Sequence, residues 1–467
     1  MIKRYYATKD NTITNAFEEN LQTRATGSNM GAADIVEVFS IYAQASTSSA
    51  ELTRFLIEFD TTELATDRSA GLVPVSGSVS WYLRMFNAPH SQTVPSNFDL
   101  TISAVSQSWE EGYGMDMDYY EDTTRNGIGS NWINRASASA WVAQGGDYHV
   151  SPTFNQTFKT GLEDLEVDVS ELVEQWLKSD KANDGFGVKL SDALETTNRS
   201  FFRKKFFGKD SEFFFQRPIL EARWDSSRRD DRGSFYASSS LAPALDNVNT
   251  LYLYNSIRGR LRDIPDLGSN DIYVDLYDSL GGTKITGSFT GSAVATGIYD
   301  CNVVVQTTAS TIYDIWFSGS TEYHSGTISV NNFTNYVYNS DNDYILSMPS
   351  LKNQYRKNQT HRLNLYVREK NWSPNIYTVA VRTSIPSVLI ESASYQVRRS
   401  IDNYVVVPYG TGSTMHTGLS YDVSGNYFDL DTTYLETGYL YEVQYSFYDE
   451  DNGWQEQSNR FKFRVVD

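Results

Sequence analysis

Between Tyr439 and Tyr448 the side chains alternate without a break: Tyr439, Tyr441, Val443, Tyr445 and Phe447 on one parity, Leu440, Glu442, Gln444, Ser446 and Tyr448 on the other. A repeat of two belongs to a pleated strand, whose successive side chains point to opposite faces. The repeat returns along the whole chain. Val79, Trp81, Leu83 and Met85 alternate with Ser80, Tyr82 and Arg84, and Ile272, Val274 and Leu276 with Tyr273, Asp275 and Tyr277. Tyr313, Ile315 and Phe317 keep the period. Leu363, Leu365 and Val367 alternate with Arg362, Asn364, Tyr366 and Arg368, and Phe461, Phe463 and Val465 with Lys462 and Arg464. Aromatic residues make up 14% of the chain while the hydrophobic share is only 40%, which suits antiparallel sheets with one wet face. No apolar run approaches the ~20 residues that span a bilayer, so no membrane insertion is expected.

At ~100–200 residues per domain, 467 residues predict two to four domains. The pattern divides the chain into three. Residues 1–224 read as short strands, among them Ile35-Val36-Glu37-Val38-Phe39, Leu52 to Phe59 and the run from Val79, interrupted by one helix. Ser170 is the expected N-cap of that helix, with Glu171 and Glu174 favourable in its first turns and Leu172, Val173, Trp176 and Leu177 as its apolar stripe. Asn183-Asp184-Gly185 ends the helical unit, and Phe186 to Leu190 returns as a strand. Residues 225–235, polar and alternately charged, predict a linker or an extended segment lying on a neighbour. Residues 236–339 and 340–467 carry strands between Gly and Asn turns, the signature of Ig-like sandwiches. The predicted fold class is all-β: an N-terminal β-sandwich with one short helix, followed by two Ig-like β-sandwich domains.

Formal net charge is −19 and the pI about 4.7, which keeps a large exposed protein soluble and argues against binding nucleic acid through its phosphates. An acidic surface that holds calcium is the sharper alternative. Asp60, Asp116, Asp118, Glu121, Asp122 and Asp184 are expected in or beside loops, where hard oxygen ligands suit that ion, although no EF-hand spacing is present. Five His and one Cys are scattered with no pair at zinc spacing. Cys301, in the strand-like run Tyr299 to Val303, reads as a small buried hydrophobe, and a single Cys excludes a disulfide within the chain. No Gly-x-Ser-x-Gly elbow and no phosphate-cradling Gly-x4-Gly-Lys loop occurs. Glu110-Glu111 and Asp116-x-Asp118 are carboxylate pairs of the kind a glycosidase uses, but an acidic loop beside Trp109 explains them more simply. No catalytic residue is assigned, no enzyme is expected, and no cofactor beyond the calcium alternative.

Trp109, Trp132 and Trp141 fall in the irregular stretch Gln107 to Gly146. Exposed, they would stack on sugar faces or dock on a protein partner; buried, they would plug the end of a sandwich. Trp81 and Trp176 repeat with apolar neighbours and belong to a core. Arg228, Arg229 and Arg232, in the segment 225–235, offer a docking strand for a partner, with a solvated linker as the plainer reading. The opening Met1-Ile2-Lys3-Arg4-Tyr5-Tyr6 has no apolar stretch behind its basic residues, so no signal peptide is expected. An extracellular-looking composition without export signal or disulfides fits a protein made in a bacterial cytoplasm and released by lysis within a virus particle.

The first 224 residues resemble the DNRLRE-type module, a β-sandwich related to carbohydrate-binding modules of bacterial surface proteins. The matching pieces are Asp10-Asn11-Thr12, Gly27-Ser28-Asn29-Met30-Gly31, Arg54 to Asp60, Trp109-Glu110-Glu111-Gly112, Trp141 to Gly146, the helix Asp168 to Leu177, and Ser211-Glu212 followed by Arg217-Pro218-Ile219-Leu220-Glu221. The resemblance implies a jelly-roll-like sandwich with a binding or scaffolding role and no catalytic residues; the Asp- and Tyr-rich insert Tyr113 to Asp122 departs from the pattern. The whole chain also resembles virion structural proteins of contractile-tailed marine cyanophages, through Ile2 to Thr14, Lys370 to Val379 and Met415 to Asp429. That likeness implies a neck or collar, tail or capsid-surface component in symmetric copies, a homo-oligomer with other virion proteins as partners. A glycan-binding module for host or cell-surface attachment is the alternative.

Overall fold

The computed structural model describes residues 1–90, 94–115, 128–267, 271–333, 343–370, 372, 375–377, 387–412 and 414–467. These are mostly β-strand, and they divide into two compact units, Met1–Trp224 and Asp225–Asp467. The boundary expected between residues 339 and 340 lies outside the described residues, as do Asp116, Asp118, Glu121 and Asp122, and Asn371, Ser373, Pro374, Thr378 and Val379. No described helix is long and apolar enough to cross a membrane.

The first unit is a jelly-roll-like sandwich in which the opening strand, Ile2–Thr14, serves both sheets. Its first half pairs with Ile219–Arg223, and its second half, after a register shift between Ala7 and Lys9, pairs with Ala50–Phe59. One sheet continues through Ser80–Met85 to Leu165–Asp168. The other runs through Phe186–Leu190 and Phe98–Val105 to Tyr148–Phe158, and carries Ile35–Tyr42 and Phe201–Phe207 beside Ala50–Phe59. The alternation at 79–85 has the predicted phase: Trp81, Leu83 and Met85 are buried against Phe55, Ile57, Phe186 and Val188.

The helix Ser170–Leu177 forms as expected, but its N-cap position is Val169, one residue earlier than predicted. The capping oxygen comes from Asp168, which accepts the Ser170 amide at 2.9 Å and the Ser170 hydroxyl at 2.6 Å. A second helix, Thr61–Ser69, was not expected. Asp60, proposed above as a calcium ligand, is its N-cap and accepts the Thr62 amide at 2.8 Å, while Glu63 sits in its first turn. Arg68 of this helix meets Glu174 of the other through two contacts of 2.6 Å.

In the second unit, one pair of sheets holds Asn249–Tyr254 with Ile298–Val303 and Ser292–Ala295, facing Tyr273–Tyr277, Thr311–Ser318 and Thr321–Asn331. Leu251, Val274, Leu276, Cys301 and Trp316 fill its core. Burial drives the Cys301 thiol up to about 12, so it stays protonated. At 311–318 the apolar residues Tyr313, Ile315 and Phe317 are not the core parity. Ile312, Asp314 and Trp316 are buried instead.

The other pair of sheets holds Tyr344–Ser347, Thr360–Glu369, Gly425–Asp431 and Ser420–Asp422 on one side. On the opposite side lie Phe461–Val466, Leu440–Asp449, Ala393–Arg399 and Val405–Val407. Leu440–Asp449 is covered on both faces: Glu442, Gln444 and Ser446 are as buried as Tyr441, Val443, Tyr445 and Phe447. The polar parity is partly paired locally: Glu442 accepts from the Ser400 hydroxyl at 2.7 Å and lies 3.1 Å from Lys462, and Gln444 donates to Glu456 at 2.6 Å while its Oε1 has no hydrogen-bond partner.

Candidate functional site

The three tryptophans do not form an exposed platform. Trp109, Trp132 and Trp141 are 3–5% exposed and close a small second core with Ile13, Leu56 and Val105 on the outer side of the larger sheet. Trp109 donates its Nε1–H to the Asp184 carbonyl and Trp141 to the Asn131 carbonyl, each at 2.9 Å. Arg54 lies 5.1 Å from the Trp132 ring, held by Glu195 at 2.6 Å and by the Gly145 carbonyl at 2.8 Å. Gly145 has φ +86°, and a Cβ there would stand 2.8 Å from the Trp132 ring. This is packing, and it leaves no ring face for a sugar. Glu110 and Glu111 are likewise engaged, the first by the Ser137 amide and hydroxyl at 2.8 and 3.0 Å, the second by the Asp10 amide at 2.8 Å. Among the described residues, no three His, Cys, Asp or Glu side chains gather as a metal ion would need.

Arg228, Arg229 and Arg232 lie on a segment that is docked within its own unit. The Arg228 amide donates to the Ser420 hydroxyl at 2.9 Å, its carbonyl accepts the Tyr421 amide at 2.9 Å, and Arg229 forms a parallel bridge with Tyr421. Tyr421 in turn donates its hydroxyl to Asp231 at 2.7 Å, and the other oxygen of Asp231 accepts the Thr250 amide at 2.6 Å. Arg232 is taken up by Asp314, at 2.7 and 2.6 Å. Its guanidinium is therefore not offered to a partner; of the three, only Arg229 is exposed.

A cavity of about 760 Å³ opens elsewhere on the first unit. Its floor is the outer face of Ile35–Tyr42, where Glu37, Phe39 and Ile41 alternate, with Glu51 opposite Ile41 on the next strand. Phe202 and Arg203 form one wall and the loop Ala16 to Leu21 the other. That loop is closed by the Asn20 carboxamide, whose oxygen accepts the Gln22 and Thr23 amides at 2.7 and 2.8 Å. Arg24 stacks 4.1 Å from the Phe17 ring, and the Phe39 and Phe202 rings meet edge to face at 5.4 Å.

The charge inside this cavity is unbalanced. Glu18, Glu19, Glu37 and Glu51 line it against one guanidinium, Arg203. Glu51 is 2% exposed; its Oε2 accepts the Phe17 amide at 2.8 Å, and its buried Oε1 has no hydrogen-bond partner. Glu37 is also buried and has Arg203 at 3.2 Å. Burial pushes its carboxyl above the usual range, more than Arg203 and Lys205 pull it down. The sequence signal for this site is an ionisable residue on an otherwise apolar strand, Ile35-Val36-Glu37-Val38-Phe39.

No family model matches the chain, and no curated protein matches it. Similar solved structures include the adhesin InvE of Yersinia pseudotuberculosis, at 12% identity over 46% of this chain and 54% of that one, with a TM-score of 0.16. A titin fragment is 10% identical over 52% of this chain and 98% of its own, with a TM-score of 0.15. The N-terminal Ig1-2 module of the Drosophila receptor protein tyrosine phosphatase DLAR is 9% identical over 47% and 91%, with a TM-score of 0.14. The chain thus spans about half the length of the adhesin structure. At these identities and scores the likeness says nothing about ligand or partner.

Proposed function

We propose that this chain is a non-enzymatic structural component of a bacteriophage particle, at the neck or collar, the tail or the capsid surface, acting by protein–protein binding in symmetric copies. It would be made in the host bacterial cytoplasm and reside in the virion, beside copies of itself and other virion proteins. The observation that carries this reading is how the buried charge is used. Glu221 is fully buried and held by Arg4 at 2.7 Å, Arg84 at 3.2 Å and Arg223 at 2.6 Å, which ties three neighbouring strands of one sheet together. Arg68 and Glu174 join two helices, and Arg232 and Asp314 fix a segment to a sheet. Charges placed this way join strands, helices and a segment within a unit, and none of these groups is arranged around a reacting centre. Self-cored β-sandwiches and an acidic chain suit a part that stands on a particle, and the resemblance of residues 2–14 and 415–429 to virion proteins supports the same reading.

Glycan attachment, the alternative that the first unit's resemblance carries, loses its expected platform with the burial of Trp109, Trp132 and Trp141. Mass spectrometry and cryo-electron microscopy of purified native particles test the proposal. Density for these β-domains at a symmetric position is expected. Absence of the chain from particles, with retention on a glycan column, would replace the particle reading by the glycan one.

A further inference from the structure

We infer that the cavity between the loop Ala16 to Leu21 and the strand Ile35–Tyr42 is a binding site for a primary alkylammonium group on an apolar stem, carried by a lysine side chain or by a free amine. The inference rests on the reading of the chain as a binding protein, and not on its membership of a particle.

Three features converge on that chemistry. The first is the unpartnered acid. A buried carboxylate oxygen without a hydrogen bond is costly, and Glu51 Oε1 is such an atom in a side chain that lines the cavity. Glu37 is buried beside a single guanidinium. A cation from outside would satisfy what the chain itself leaves open, and four carboxylates against one guanidinium set the sign of the ligand.

The second feature is the apolar middle. Glu51 stands opposite Ile41 in register, and Glu37 lies four positions before Ile41 on the same face, with Phe39 between them. The floor is therefore acidic at both ends and aromatic at its centre, walled by Phe17 and Phe202. An alkyl stem lies on such a surface while its charged head reaches a carboxylate, and ring faces add cation–π attraction. A neutral sugar fits less well, because carboxylates supply acceptors in excess of donors.

The third feature concerns the shape of the charge. The acceptors come from two strands and a loop, and do not present one planar carboxylate to a planar fork. A compact ammonium with three rotatable donors matches separate acceptors better than a second guanidinium does.

Isothermal titration of the full chain tests this with four probes: n-pentylamine, 1-pentanol, hexanoate and the peptide acetyl-Gly-Lys-Gly-amide. Pentylamine should bind at least tenfold more tightly than pentanol, hexanoate should not bind, and added salt should weaken the amine. Glu51→Gln should raise the amine Kd at least tenfold, since the isosteric amide keeps the acceptor for the Phe17 amide and loses the charge. Should that variant melt early, Glu18→Gln with Glu19→Gln decides the matter, because both side chains stand at the rim; about a threefold loss is expected. A peptide that binds as tightly as pentylamine marks a receptor for partner lysines, and preference for the free amine marks a small-amine site. Equal binding of pentanol and pentylamine, no binding of any amine, or an unchanged Kd in folded Glu51→Gln overturns the inference. The titration uses isolated chain, so its failure leaves the particle reading standing, and loss of the particle reading leaves the titration valid.

Discussion

Arg232 and Asp314 face each other through two parallel hydrogen bonds, Nη1 to Oδ1 at 2.7 Å and Nη2 to Oδ2 at 2.6 Å, and the aspartate side chain has no exposure to solvent. Asp314 Oδ2 also accepts the Trp316 indole at 2.9 Å. A segment that reads as a linker thus supplies the only cation described in contact with a carboxylate buried on the core parity of the strand Thr311–Ser318.

Removing one partner of this pair leaves a buried charge uncompensated. Arg232→Ala is expected to destabilise the second unit by ~3–5 kcal/mol. The double change Arg232→Met with Asp314→Leu should recover part of that loss, because no orphaned charge remains although the buried Trp316 indole loses its acceptor. Denaturant unfolding of both variants, followed by circular dichroism, checks the ordering; equal losses would mean that packing, and not the ion pair, sets the cost.

Glu221 sits under three arginines, and their proximity holds its carboxyl well below the usual range. Its stabilisation is therefore present above the unfolded-chain value and is lost only as pH falls well below it. Glu221→Gln should cost ~3–5 kcal/mol at neutral pH, since Arg4, Arg84 and Arg223 would then repel one another beneath the sheet. Thermal melting at pH 7 measures it.

Asp10 behaves in the opposite sense. It is fully buried, its Oδ2 accepts the Lys209 amide at 2.6 Å, and its Oδ1 has no hydrogen-bond partner. Burial raises its carboxyl to about 7. A folded value above the unfolded one contributes stability that is complete below about pH 4 and is lost as pH rises through 7. Each tenfold difference in proton affinity is worth about 1.4 kcal/mol. Asp10→Asn, which keeps the acceptor for Lys209, should flatten the fall in melting temperature between pH 4 and pH 7; an identical pH profile in the variant would refute this.

Trp109 separates packing from ligand binding. Trp109→Ala should lower stability by ~3–5 kcal/mol through the cavity it leaves, with the Asp184 carbonyl losing its donor. A variant that keeps its melting temperature and loses retention on a glycan column would restore the exposed-platform reading.

One residue of the candidate site carries a signal in the sequence. Glu37 interrupts an apolar strand, and, outside the site, Asp60-Thr61-Thr62-Glu63 has the spacing of a helix start. Glu51 gave no such signal. Its cost becomes visible only when Phe17 of the loop closes over it, and loop closure is not written in a period.

What the sequence determined by itself is local: the period of two at 79–85 and 439–448, the helical stripe Leu172, Val173, Trp176 and Leu177, and the charged break at 225. Backbone geometry sends alternate Cβ atoms to opposite faces wherever a strand forms, so the period survives in any context. Which face is covered is not local. At 311–318 both parities carry large apolar residues, and Asp314 argued for the wrong one until Arg232, from 82 residues earlier, neutralised it. The burial of the tryptophans at 109–141 likewise depends on the outer face of the sheet that receives them. Burial depends on what arrives from elsewhere in the chain, and only the tertiary structure brings those surfaces and charges together.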